Sequence, residues 1–317
     1  MTSSSSNALV ALVFGASGVS GWGLAHELAN WSQPTPFSRI MLLTCQPITT
    51  EELRLADDDR VSIHSGIDLS QSEEQVSQAL KQLPAISTVT HTARMNVAMT
   101  KTTVAALAAA APSIKHLSFQ SGSIVSIHRA STTRRETYPR ISAPFGTMIS
   151  AYGQEDAVPF PGNTKSWQSK FTVVGQKHLA HFNIASALQA SSLTPSQLNI
   201  SDGGEPSSWQ ELWPKITGYF GLVGSPPGSG SPVKFGPKWF EGVKSKAAQF
   251  EQEARLKAGF LTDLPWQYLE FFLGLKVDRV LNIERAKKTG LVEVSDTLTA
   301  FSDTWDMMKA ARIIPEE

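Results

Sequence analysis

Residues 9–14 (Leu9, Val10, Ala11, Leu12, Val13, Phe14) are apolar without a break. A short run with no polar alternation predicts a strand buried on both faces of a parallel sheet. Gly15, Gly18 and Gly21 follow, and an apolar stripe at Trp22, Leu24, Ala25 and Leu28 predicts a helix over 20–29. The alternation then repeats, with strands predicted at 39–44, 61–64, 87–92 and 116–121 and helices at 72–80 and 96–110. Ser72 and Gln75 stand at capping-box spacing. The 96–110 helix is rich in alanine and is closed by Pro112. Strands and helices alternating in this way imply an α/β fold, a Rossmann-like doubly wound parallel sheet.

The pattern changes near residue 160. Val158-Pro159-Phe160-Pro161-Gly162 reads as a rigid loop, 173–190 as a helix and 197–200 as a short strand. Ser208 and Glu211 form a second capping box, opening a helix that runs to about residue 220. Residues 224–237 are rich in Gly, Pro and Ser and read as a loop. From 238 onward the signals are mostly helical and aromatic, with Trp239, Phe240, Phe250, Phe260, Trp266, Tyr268, Phe271, Phe272, Phe301 and Trp305. These rings belong either to a helical core or, for some, to an apolar substrate pocket. The expected organisation is a dinucleotide-binding domain over 1–160, then a mixed, mostly helical substrate-binding part over 161–317 that includes a helical C-terminal cap.

The glycines after the first strand carry the chemistry. Glycine lets a backbone turn tightly and approach a phosphate, and the helix N-terminus behind it offers N–H groups and a positive dipole end. Strand, glycines and helix together predict a dinucleotide site. Composition narrows the partners. Of 317 residues 41% are hydrophobic, and Lys plus Arg equals Asp plus Glu at 28 each, so no basic footprint for nucleic acid or an anionic membrane exists. A single cysteine, Cys45, excludes an internal disulfide framework and fits a reducing compartment. Residues 1–7 are polar and serine-rich, and no long apolar span follows, so a soluble cytoplasmic protein is expected. HExxH, CxxC and P-loop patterns are absent. His178 and His181 lie one helical turn apart without an evident third ligand, so no metal is expected. Gly15-Ala16-Ser17-Gly18 is not a nucleophile elbow.

Several motifs resemble the progesterone 5β-reductase and iridoid synthase-like group, a branch of the extended short-chain dehydrogenases. Gly15-Ala16-Ser17-Gly18-Val19-Ser20-Gly21-Trp22 resembles its nucleotide fingerprint, and Ser65-Gly66-Ile67-Asp68-Leu69-Ser70 its adenine segment. The Val158–Gly162 run with Lys165-Ser166-Trp167, the run Leu198-Asn199-Ile200-Ser201-Asp202-Gly203 with Trp209 and Leu212-Trp213-Pro214, and the final Asp296-Thr297, Phe301, Trp305 and Ile313-Ile314-Pro315 resemble its later motifs. The resemblance spans nearly the whole chain. It implies a Rossmann domain capped by C-terminal helices, NADPH or NAD as cofactor, an apolar small-molecule substrate, and reduction of an activated C=C bond, and it admits a homodimer. It further implies cofactor contacts at Gly15, Ser17, Gly18, Val19, Gly21, Thr44, Gln46, Asp68 and Leu69, with Tyr152 as the catalytic residue.

Four departures accompany the match. At the end of the second strand the family has an arginine for the 2′-phosphate, whereas this chain reads Thr44-Cys45-Gln46-Pro47. A neutral amide contact is roughly half as strong as a charge-assisted one, so weak binding and little preference between NADPH and NADH are expected. Arg39 is the substitute cation to consider. Ile124 stands where the family has its catalytic lysine, with His128 nearby, and Ala151 replaces the first tyrosine of the pair whose second member is Tyr152. About sixty residues of the family pattern are missing between Glu155-Asp156 and Val158. Either the domain is rebuilt there or the reading frame is incomplete. Three readings follow: an enone or enal reductase of specialised metabolism, a non-redox cyclase or isomerase on the same fold, and a catalytically dead homologue.

Overall fold

The apolar run becomes β1 (Leu9–Phe14), and it is apolar throughout because both of its faces are buried. Ala11 and Val13 face one layer of helices, Leu12 and Phe14 the other. The neighbouring β2 (Phe37–Thr44) repeats this, with Ile40 and Leu42 on the first face and Met41 and Leu43 on the second. In this computed structural model the described residues are 9–31, 35–84, 88–91, 97–120, 158–190, 193, 197–228, 248–249, 251–256, 271–310, 312 and 314–315. They divide into two compact units, 1–138 with 179–196 and 139–178 with 197–317. Both units are discontinuous in sequence.

The first unit contains a five-stranded sheet in the order β3-β2-β1-β4-β5, completed by β3 (Val61–Ser65), β4 (Thr88–His91) and β5 (His116–Phe119). Every pairing is parallel. Helix α1 (Val19–Ala29) packs Leu24, Ala25 and Leu28 on one face. Helices α2 (Glu73–Lys81) and α3 (Val97–Ala110) cover the other through Val76, Leu80, Ala106 and Leu107. Each fully buried leucine contributes about 1.5–3 kcal/mol. Ser72 caps α2: its hydroxyl accepts the Gln75 N–H, and its own N–H donates to Gln75 Oε1.

The second unit is built on aromatic packing. Its first elements are β6 (Val158–Pro159), α4 (Thr164–Gln168) and β7 (Lys170–Phe171). Helix α5 (Gln176–Leu188) begins in this unit and continues into the first. β8 (Ser207–Ser208), α6 (Trp209–Tyr219), β9 (Gly224–Ser225), α7 (Glu284–Lys287) and α8 (Thr297–Ala310) follow. Phe160 sits among Trp167, Trp209 and Trp213, with ring centres 5.1, 5.8 and 5.4 Å away. The Trp213 indole N–H donates to Val158 O at 2.9 Å. Gly162 has no room for a side chain, because an added Cβ would lie 2.3 Å from Phe160 and 2.5 Å from Leu273 O. The proline-rich run is thus a packing motif, and Phe301 and Trp305 belong to the same core. The strand expected at 197–200 does not form; that stretch is tied instead by Asn199 to Asn282 O and by the Asp202 N–H to Val173 O. No helix among the described residues is long and apolar enough to cross a membrane.

Candidate functional site

The carboxyl ends of the parallel strands meet at one edge of the first unit. Phe14 is in register with Leu43 and with His91, and Thr44 with Ser65. This is where the strand order reverses, between β1 and β4, the place at which doubly wound sheets bind ligands. Gly15 turns the chain there with φ 66°, a left-handed conformation that favours glycine. The Ala16 N–H donates to Leu43 O, and the Gly18 N–H to Gly15 O at 2.9 Å. A Cβ on Gly18 would lie 3.3 Å from Gly15 O, so a side chain there crowds the turn. Helix α1 then starts at Val19 with no side-chain cap and no acidic residue in its first turn. Its positive end is left open to an anion. Ser17 and Gly21 belong to this same turn and first helical residues.

The end of β2 is shaped from within. Thr44 is 1% exposed. Its hydroxyl donates to Gln46 O at 2.8 Å and lies 3.1 Å from the Ser65 hydroxyl. Thr44 therefore positions the strand end, while Gln46 is exposed beside it. After Gln46 the chain makes one helical turn closed by Thr49 and Glu52, which cap each other's N–H. The turn is fastened to α1 through Leu53 O, which accepts from the Trp22 indole at 2.7 Å and from His26 Nε2 at 2.8 Å. Burial pushes the His26 pKa below its ordinary value, against the pull of the Leu53 bond and the Glu27 charge.

Beyond β3, the Ile67 N–H donates to Thr44 O. Asp68 Oδ1 accepts from the Ser70 N–H at 2.9 Å and the Ser70 hydroxyl at 2.6 Å, which orients the carboxylate, and Leu69 is buried under it. Gly15, Ser17, Gly18, Gly21, Thr44, Gln46, Asp68 and Leu69 all lie along this edge, with the backbone of Val19. Arg39 does not, because it pairs in register with Val10 near the opposite end of β2. At about 3.3 Å per residue it is roughly 16 Å from Thr44. Tyr152, Ile124 and His128 lie outside the described residues. Ser65 and the backbone of His91 also reach this edge. Nothing but strand register points to them, and register is not written in a single sequence.

The two histidines one turn apart have separate partners. His181 Nε2 lies 2.7 Å from Glu27 Oε2. His178 lies between two carboxylates, Nδ1 at 2.9 Å from Asp202 Oδ1 and Nε2 at 3.3 Å from Glu293 Oε2. Asp202 also accepts the Gly175 N–H at 2.8 Å, at the start of α5. Burial pushes its carboxyl above the usual range, outweighing the Gly175 and His178 bonds. Among the described residues no group of three or more His, Cys, Asp or Glu could hold a metal.

Sheet order, glycine turn and open helix end define a Rossmann-fold domain of the dinucleotide-binding class. The chain belongs to the PRISE-like Rossmann-fold domain family, whose profile matches residues 11–158 and 138–315. It is 37% identical to the short chain dehydrogenase sirR of Leptosphaeria maculans, covering 96% of this chain and 97% of the relative. It is 27% identical to sirQ of the same organism, with the same coverages. Among solved structures, a reductase engineered for attenuated substrate inhibition in asymmetric catalysis shares the fold, with TM-score 0.53, 12% identity, and 93% and 97% of the two chains covered. The sirR alignment runs over 392 positions, while 96% of this 317-residue chain is about 304, so about 88 aligned positions have no residue here. The two profile matches overlap at 138–158, around the junction where the motifs indicate missing residues.

Proposed function

We propose that the protein is an NAD(P)H-dependent reductase of an activated C=C bond in an apolar enone or enal, acting in specialised metabolism. The observation that carries this reading is the tight glycine turn opening onto an uncapped helix at the β1/β4 switch point, in a chain of this family. The residues fit a dinucleotide. The turn at Gly15 and Gly18 and the first N–H groups of α1, Val19 included, would hold the pyrophosphate. Gly21 keeps the helix start free of a side chain, and Ser17 would add a hydroxyl. Gln46, positioned by Thr44, would bond the ribose, and Asp68 with Leu69 would border the adenine. When bound, the nicotinamide supplies a hydride.

Tyr152 is the proposed donor to the substrate carbonyl oxygen. It withdraws electron density from the conjugated double bond and stabilises charge gathering on that oxygen. The hydrocarbon Ile124, at the family's lysine position, carries no charge that could favour a phenolate, so in this reading Tyr152 acts as a neutral hydrogen-bond donor. Slow turnover follows. A non-redox cyclase or isomerase is the second reading, favoured by Ile124 and by the roughly 88 positions absent relative to sirR. The test is product analysis on a panel of enones and enals, with and without NADPH or NADH, for wild type and Tyr152→Phe. The reductase reading expects cofactor oxidation matched by saturated product, lowered about 10²–10³-fold in the variant. Rearranged product without cofactor transfers the assignment to the second reading. Absence of both reactions overturns it, as does a Tyr152→Phe rate equal to wild type for the role of Tyr152.

A further inference from the structure

Arg279 carries a charge that the described residues leave without a counter-ion. Its backbone is fixed against β7: its N–H donates to Lys170 O at 2.7 Å, and its carbonyl accepts from the Thr172 N–H at 3.2 Å. These bonds form a parallel bridge between Phe171 and Arg279. The side chain is held by two rings. The guanidinium carbon lies 5.2 Å from the ring centre of Phe171 and 5.3 Å from that of Phe272. Phe171 is itself buried against Trp209, with ring centres 4.7 Å apart, so this wall is rigid. Nε is buried and has no hydrogen-bond partner among the described residues. The adjacent Asp278 turns Oδ1 to the Lys170 N–H at 2.8 Å. Burial lowers the Arg279 pKa.

Ring faces attract a cation but accept no strong hydrogen bonds, so the Nε donor keeps its need for an oxygen acceptor. A guanidinium presents its donors as a planar fork that matches the two oxygens of a carboxylate. Aromatic walls beside that fork suit an anion on an apolar skeleton and offer little to a strongly hydrated inorganic ion. We propose that Arg279, clamped between Phe171 and Phe272, is an oxyanion subsite that takes the carboxylate of an organic acid with an apolar or aromatic body. The subsite belongs to the second unit alone and does not depend on the cofactor or on the reductase reading.

Binding to the full chain tests this, with sodium benzoate as probe, neutral benzamide as its isostere, and sodium phosphate as the inorganic oxyanion, at ionic strength held constant with sodium chloride. Benzoate is expected to raise the melting temperature with an apparent affinity at least about tenfold above those of benzamide and phosphate. Arg279→Gln should lose that advantage, and Arg279→Lys, which keeps the charge without the fork, should fall between. Equal responses to benzoate and benzamide, a response to phosphate alone, or an unchanged benzoate response in Arg279→Gln overturns the proposal. The wild-type protein gives a second readout that needs no variant: benzoate, and not benzamide, should slow phenylglyoxal labelling of the Arg279 peptide. Absence of that protection overturns the proposal even where the variants fail to fold.

Discussion

Replacing Gly162 by alanine tests whether the proline-rich run is a packing motif or a ligand loop. The added Cβ would stand 2.3 Å from Phe160 Cε1, 2.5 Å from Leu273 O and 2.6 Å from Ser166 Oγ. The Ser166 hydroxyl cannot swing aside cheaply, because it donates to Asn163 O and accepts the Asn163 N–H in the cap of α4. Leu273 O is backbone. Phe160 is wedged among three tryptophans. Overpacking a core costs typically 1–3 kcal/mol, and with none of the three neighbours free to move cheaply, the upper end applies, about 3 kcal/mol. For a unit of this size each kcal/mol lowers the melting temperature by about 2–4 °C, so the expected drop is about 6–12 °C. Differential scanning calorimetry and urea unfolding followed by tryptophan fluorescence both report it, since Trp167, Trp209 and Trp213 share this core. A loss below about 1 kcal/mol would refute the packing argument.

Two further outcomes follow from the first unit. Burial lowers the pKa of His26, His64 and His116, so the fold favours their neutral forms. Their contribution to stability is complete above the unfolded value of about 6.5 and is lost as pH falls through the lower folded values. Thermal unfolding from pH 7.5 to 5 should show this decline, and His26→Gln, which can still donate to Leu53 O, should flatten part of it; a wild-type melting temperature that rises on acidification would contradict the assignment. At the β2 end, Gln46→Arg should tighten NADPH relative to NADH, because it restores a charged fork for the 2′-phosphate. Isothermal titration checks this, and a wild-type NADPH preference beyond about a hundredfold, ~2.7 kcal/mol, would mean that another group already reads the phosphate.

Much of the first unit is legible in the sequence because its signals are local. Leu9–Phe14 is apolar at every position since both faces of β1 are covered, and the capping box at Ser72 forms as its spacing predicts, as does the one at Ser208 in the second unit. Helix ends and strand ends shift by a few residues. The cap of α4 escaped the pattern because Asn163 pairs with a serine at the third position instead of Glu or Gln. The misread strand at 197–200 has the right residues, but Thr172 and Val173 beside it are already committed to Arg279 and Asp202. That competition is between segments far apart in sequence. The same holds for the site. The glycines identify themselves, whereas the inward turn of the Thr44 hydroxyl and the fastening of Leu53 to Trp22 and His26 depend on tertiary neighbours. Arg39 looked available as a cation until strand register placed it at the far end of β2. The aromatic clamp on Arg279 joins Phe171 to Phe272 across about a hundred residues, and no spacing announces it.

The central claim is that the glycine turn of the first unit holds a dinucleotide. Thermal unfolding of wild type and Gly18→Val, titrated with NADPH and with NADH, tests it most directly. A ligand at a hundred times its Kd stabilises by about 2.7 kcal/mol, which is visible as a shift of several degrees. Wild type should shift with either cofactor, and Gly18→Val, whose side chain would crowd Gly15 O from 3.3 Å, should not. No wild-type shift with either cofactor at millimolar concentration, or an equal shift in the variant, would contradict the claim.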